Sequence, residues 1–171
     1  ESGLVQAGSR IWHQGKLDGS DPDDYERFGT SLAVGDFDND RIADLAIGTP
    51  YDRVVASSPT FSRTSGGLGT VSFSGRAYGV EAGGVNVIYG RRFAGLHPSG
   101  IEYWTQETAG IEETAELGDA FGQTLAAGDF NNDGRDDLAI GAPGEDLSVA
   151  FFTAHDAGAV NVIYGARGGL T

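Results

Sequence analysis

Short apolar runs bounded by Gly and Asp recur along the whole chain, and no stretch holds an apolar stripe at helical spacing. Phe28 to Pro50 reads FGTSLAVGDFDNDRIADLAIGTP, two apolar runs around an Asp-rich loop. Phe121 to Pro143 reads FGQTLAAGDFNNDGRDDLAIGAP, with 15 of 23 positions identical, so the pattern is an internal repeat offset by 93 residues. An internal repeat fixes the architecture before any single motif is weighed.

The repeat extends beyond this core. Gly83 to Gly90 reads GGVNVIYG and Gly158 to Gly165 reads GAVNVIYG. A Trp segment precedes each core copy, Ile11-Trp12-His13-Gln14 and Tyr103-Trp104-Thr105-Gln106. Gly3-Leu4 and Gly95-Leu96 stand ahead of those, and the chain closes on Gly169-Leu170-Thr171, the opening of a third copy. The order is therefore Trp strand, Phe-Gly strand, Asp loop, Leu-Ala-Ile-Gly strand and Val-Asn-Val-Ile-Tyr strand, twice over. Short β-branched runs closed by turn residues predict strands. Radially repeated four-stranded units predict a β-propeller; a β-sandwich also uses short strands, but near-identical units favour the propeller.

The sequence of Phe-Gly, Gly-Asp-Phe-Asp-Asn-Asp and Gly-Thr/Ala-Pro resembles the FG-GAP repeats of integrin α-subunit propellers and their bacterial relatives. The resemblance covers nearly the whole chain except the segment from about Val54 to Ala82, and it departs from the pattern at Thr49 and Arg41. The fold expected is all-β: two four-stranded FG-GAP blades of a β-propeller, with the N-terminal strand acting as the outer strand of another blade. The whole of 1–171 is then a partial propeller module. Residues 1–16 are an orphan outer strand, 17–106 a first blade with an insertion at 52–82, and 107–171 a second blade lacking its outer strand.

The Asp loops carry the chemistry. Asp129, Asn131, Asp133 and Asp137 take positions 1, 3, 5 and 9 of the second loop, with the Arg135 carbonyl at position 7. Asp36, Asp38, Asp40 and Asp44, with the Ile42 carbonyl, do the same in the first. Alternate oxygen donors in a tight turn suit a hard cation. Position 12 is Ile47 or Ile140, not the Glu of an EF-hand, so the reading is a β-hairpin calcium loop, as the resemblance also implies. Two Ca²⁺ sites of structural role are expected. Mg²⁺ prefers more water, and an all-oxygen set disfavours zinc and copper. The alternative is a solvated acidic turn, which leaves clustered carboxylates repelling one another. Arg41 has to adopt a left-handed conformation, and Asp136 reads as an outer carboxylate that is not a ligand.

Composition narrows the partners. A formal charge of −14 over 171 residues argues against nucleic acid and anionic lipid, and no apolar run is long enough to insert into a membrane. No Cys removes disulfides and thiolate metal sites. With no Met, the chain is expected to be processed or an excised segment. His13, His97 and His155 belong to no recognisable catalytic motif; His13 reads as a surface strand position and the others as loop residues. The insertion within Tyr51 to Ala82, 18 residues longer than its counterpart, holds Phe61, Phe73 and Tyr78 and a candidate strand at Thr70 to Ser74. It reads as a ligand loop or a plain surface excursion, while Phe151-Phe152 reads as local packing.

Two blades cannot close a ring, so self-association or further blades are expected, with the Trp12 segment completing a neighbour. The functional expectation is a calcium-stabilised, non-enzymatic module for adhesion or for protein or glycan binding, at the cell surface or outside the cell. The alternatives are a structural subunit of a homo-oligomeric ring or filament, and a propeller fragment of a larger secreted enzyme such as a phospholipase D-like protein. No Arg-Gly-Asp tripeptide names a ligand.

Overall fold

The structure is a computed structural model that describes residues 9–17, 25–55, 79–149 and 151–171. One helical turn, α1 (Gln14–Leu17), precedes the first repeat unit. That unit contains β1 (Ser31–Gly35), β2 (Asp44–Thr49), β3 (Arg53–Val55), β4 (Gly79–Glu81), β5 (Gly84–Ile88), β6 (Gly90–Arg91), β7 (Gly95–Leu96) and β8 (Glu102–Trp104). The second contains β9 (Thr124–Gly128), β10 (Asp137–Ala142), β11 (Leu147–Val149), β12 (Phe152–Ala154), β13 (Ala159–Ile163), β14 (Gly165–Ala166) and β15 (Gly169–Leu170).

The architecture is all-β and antiparallel. The first sheet has the order β1-β2-β5-β8, the second β9-β10-β13. Matching registers show that the repeat is structural: Ala33 pairs with Ala46 and Ala46 with Val87, as Ala126 pairs with Ala139 and Ala139 with Val162. The small ladders β3–β4 and β11–β12 occupy corresponding places after β2 and β10, and β6–β7 corresponds to β14–β15. The long excursion of the first unit leaves on β3 and returns on β4, closed by an Arg53–Glu81 ion pair at 3.3 Å. Its candidate strand Thr70–Ser74, with Phe61, Phe73 and Tyr78, lies outside the described residues.

Side chains alternate across each sheet, so each sheet has two distinct faces. Ala33, Ala46, Val85 and Val87 share one face of the first sheet, and they are buried against Leu138, Ile140 and Ile163 of the second, with Leu125 and Ala127 packed alongside. The register places Leu125, Ala127, Leu138, Ile140 and Ile163 on the face of the second sheet that corresponds to Leu32, Val34, Leu45, Ile47 and Ile88 of the first. The sheets therefore stack front to back, with β1 against β9. Trp104 packs on this shared core.

The amino-terminal segment departs from expectation. Residues 9–13 are not a strand, and Gln14–Leu17 is helical. An outer strand exists by hydrogen-bonding to a neighbour, as β8 does to β5, and no described strand forms a ladder with residues 9–13. The segment nevertheless takes the position the repeat requires. Arg10 Nη1 donates to the Leu96 carbonyl, and buried Gln14 donates to Asp52 across the first unit. His13 is exposed but lies in no strand.

Candidate metal centre

The two Asp loops are built alike, bond by bond. In the first, the Asp40 N–H donates to Asp36 Oδ1 (3.0 Å) and Asp38 Oδ1 (3.1 Å), and the Arg41 N–H donates to Asp36 Oδ2 (3.0 Å). The Ile42 N–H donates to Asp40 Oδ1 (2.8 Å). In the second, Asp133 donates to Asp129 Oδ1 and Asn131 Oδ1, Gly134 to Asp129 Oδ2, and Arg135 to Asp133 Oδ1, all at 2.9–3.0 Å. Backbone conformations match as well, with φ of 60° at both Asn39 and Asn132.

Carboxylate oxygens of Asp36, Asp38 and Asp40 lie within 4.8 Å of one another. Asp44 and Asp137, the ninth position of each loop, anchor the hairpins. Buried Asp44 accepts the Phe37 N–H and the Gly90 N–H, both at 2.8 Å, and so ties the loop to the strand beyond β5. Asp137 accepts the Phe130 and Gly165 N–H groups in the same way. Burial pushes the Asp44 carboxyl up to about 6, and its two backbone bonds work against that. Burial, then the neighbouring charge of Asp40, also raises Asp38.

Each loop has an arginine beside its acidic group. Arg91 Nη1 stands 3.8 Å from Asp38 Oδ2, and Arg135 Nη1 donates to Asp133 Oδ2 at 2.9 Å. Sequence reasoning identified neither contact. Asp136 joins the loops: its Oδ2 accepts the Asp36 N–H at 2.9 Å, a bond that holds the first position of one loop to the other loop.

Residues 28–73 and 121–163 match the FG-GAP repeat model. The chain belongs to the FG-GAP repeat family. Over 145 residues, 85% of the chain, it is 32% identical to phosphatidylinositol-glycan-specific phospholipase D of Rattus norvegicus. The proteins of the same name from Homo sapiens and Bos taurus are 31% and 30% identical over that length. The chain spans 14% of the length of these relatives.

The first FG-GAP loop carries a local strain that the second lacks. Arg41 has φ of 69°, as the sequence predicts, and the second loop places Gly134 there at φ of 86°. A left-handed non-glycine residue costs roughly 1–2 kcal/mol. Arg41→Gly is therefore expected to stabilise the protein by about 1 kcal/mol, raising the melting temperature by about 2–4 °C in a calorimetric scan.

A second repeated constellation lies in the connections after β2 and β10. Gln14 Nε2 donates to Asp52 Oδ2 at 2.5 Å, Tyr103 Oη donates to the same oxygen, and Gln106 Nε2 donates to Glu145 Oε2. Buried acidic residues at aligned positions, Glu26 and Asp119, complete each unit. The signal was available in the sequence as aligned Gln and acidic positions at 14/106, 26/119 and 52/145.

Glu145 lines a cavity of about 360 Å³ with Glu113, Glu116, Asp146 and His155. Its carboxyl is pushed up to about 7, first by burial and then by the Asp119 charge. Asp119 is itself raised, chiefly by burial and then by the Glu116 charge, the latter acting against the backbone bond from Glu116. The folded state thus holds the Glu145 proton more tightly than the unfolded chain, whose value is near 4.5. Stability from this group is complete below that value and is lost as pH rises to about 7. Glu145→Gln keeps an oxygen acceptor for Gln106 and removes the charge. It is expected to be more stable than the parent by about 1–2 kcal/mol at pH 8, with no gain at pH 4, in urea titrations at both values.

Phe151 and Phe152 do not pack locally as their spacing suggested. Both are exposed, Phe152 at the start of β12 and Phe151 just before it.

Proposed function

We propose that this chain is part of a calcium-stabilised, non-enzymatic β-propeller, a module for adhesion or for binding protein or glycan outside the cell or at its surface. The observation that carries the reading is the bond-by-bond identity of the two acidic hairpin loops. The three converging carboxylates of the first loop fit a hard cation, and the second loop offers the same oxygen positions.

Asp36, Asp38, Asp40, Asp44 and the Ile42 carbonyl would hold one ion. Asp129, Asn131, Asp133, Asp137 and the Arg135 carbonyl would hold the other. Calcium would offset the repulsion among the carboxylates and so favour the closed hairpin. The protein's share is to fix the loops: Asp44 and Asp137 fasten each hairpin to its sheet, and Asp136 fastens one loop to the other. Calorimetric titration of the metal-free chain with CaCl₂ is expected to show two sites. Absence of binding heat, together with a failure of ⁴⁵Ca to remain bound on dialysis, rejects the calcium reading.

The β3–β4 and β11–β12 ladders follow the ends of β2 and β10 that lie away from the acidic hairpins. Exposed Phe151 and Phe152 make that end the surface on which we place partner binding. No described helix is long and apolar enough to cross a membrane.

The likeness to the phospholipase D proteins favours a second reading, a propeller portion of a larger secreted enzyme of that kind. Its chemistry would then lie outside these 171 residues. An assay of the chain against a glycosylphosphatidylinositol-anchored substrate is expected to show no release, and turnover by this chain would overturn the non-enzymatic assignment.

A further inference from the structure

The two acidic loops meet at Asp136. This residue lies in the second loop between Arg135, at the seventh position, and Asp137, at the ninth. It grips Asp36, the first position of the other loop, by both polar groups of that residue's main chain. Asp136 Oδ2 accepts the Asp36 N–H at 2.9 Å, and the Asp136 N–H donates to the Asp36 carbonyl at 3.4 Å. The approach is close. A Cβ on Gly35 would sit 3.0 Å from the Asp136 Cβ, whereas one on the corresponding Gly128 would come no nearer than 3.6 Å to the Phe130 ring. A second tie runs from the Gly168 N–H to the Asp38 carbonyl at 3.3 Å. The first loop has Ala43 where the second has Asp136, so the repeat does not supply this grip twice.

The gripped residue organises its own loop. Asp36 Oδ1 accepts the Asp40 N–H and Oδ2 accepts the Arg41 N–H, so its carboxylate closes the turn in which Asp38 and Asp40 converge with it. The gripping residue is held just as firmly on its own side. Before it, the Arg135 N–H donates to Asp133 Oδ1; after it, Asp137 accepts the Phe130 and Gly165 N–H groups. The Arg135 carbonyl and the Asp137 carboxylate are both donors of the second loop in the calcium reading. Filling that loop would therefore fix both neighbours of Asp136, and with them the acceptor that holds Asp36.

We infer that calcium in either loop raises the calcium affinity of the other, with Asp136 as the positioning residue that couples them. This coupling rests on the calcium reading above and adds how the two sites act on each other. Asp136 works through the Asp36 main chain and is not itself a ligand. A loop whose first donor is already held has less freedom to lose when it takes an ion, so the second ion binds at a smaller ordering cost. The effect is reciprocal: the factor that one ion adds to the other's affinity is returned in full.

Asp40→Ala disables the first loop and Asp129→Ala the second, and both positions are exposed. Calorimetric titration of each variant with CaCl₂ yields the association constant of the remaining loop. The product of the two constants of the parent is expected to exceed the product of these single constants by about fivefold or more. With Asp136→Ala added throughout, the two products are expected to agree. Asp136→Asn keeps an oxygen for the Asp36 N–H and drops the charge, and is expected to retain the excess. Hydrogen exchange on the metal-free chains is an independent check: the Asp36 amide is expected to exchange faster in Asp136→Ala than in the parent or in Asp136→Asn. Equal products in the parent, an excess that survives Asp136→Ala, an excess lost in Asp136→Asn, or an Asp36 amide indifferent to Asp136→Ala each overturns the coupling. A parent with two independent sites loses the coupling alone, whereas a parent that takes up no calcium rejects the calcium reading and the coupling together.

Discussion

If the acidic loops hold calcium as proposed, EDTA is expected to lower the melting temperature of the protein by roughly 8–16 °C for each site emptied. An ion bound only by the folded state stabilises it by about 4 kcal/mol when present a thousandfold above its dissociation constant. A domain of this length shifts by about 2–4 °C for each kcal/mol. The structure gives reasons why the two losses will not simply add. Asp136 holds the Asp36 N–H, and the Gly168 N–H donates to the Asp38 carbonyl, so the first loop is embedded in the second unit. The second loop is more exposed: Phe130 at its start is 54% open to solvent, whereas Phe37 is 0%. Its metal-free form will fray locally, while loss of the first ion will loosen the contact between the units. Differential scanning calorimetry of Asp133→Asn and Asp40→Asn, with and without EDTA, separates the two. A parent whose melting curve is unchanged by EDTA would rule out a structural role for calcium.

How much of this was legible in the sequence depends on what each residue needed from its neighbours. The order β1, β2, β5, β8 follows from alternating apolar positions in strands that pair within one unit, and both acidic loops follow from local spacing. The conformation of Arg41 was equally local, since a turn of this shape leaves that position no other choice. Residues 9–13 form no strand, because a strand is a relation between two segments, and the described residues offer them no partner. The Gln14–Asp52 and Gln106–Glu145 bonds span 38 and 39 residues and belong to no periodic pattern. The anchoring by Asp44 and Asp137 was hidden by a reading that already explained those carboxylates as ligands. Front-to-back stacking needed the register itself, because the sequence shows which positions are apolar but not which face meets which.

The stacking makes the two Phe-Gly pairs unequal in spite of their identical sequence, and this yields the second large effect. Phe121→Ala is expected to destabilise the protein by about 3–5 kcal/mol, the range for deleting a fully buried aromatic ring from a core that cannot collapse around the gap. Collapse is opposed here because the main chain that carries the ring is fixed: Gly83 approaches the Phe121 backbone closely, and the Phe121 N–H is bound to the Ala82 carbonyl. Phe28→Ala removes the same ring from a partly exposed site, and is expected to cost about 1 kcal/mol or less. Urea titrations of the two variants measure the difference directly. Equal losses would mean that the Phe-Gly pair acts within its own unit, and Phe121 would then have no role in joining one unit to the next. A large loss at Phe121 alone makes that ring the joint between the sheets, and hydrogen exchange should then speed most at the Phe121 and Gly122 amides, whose acceptors lie on Ala82 and Gly141.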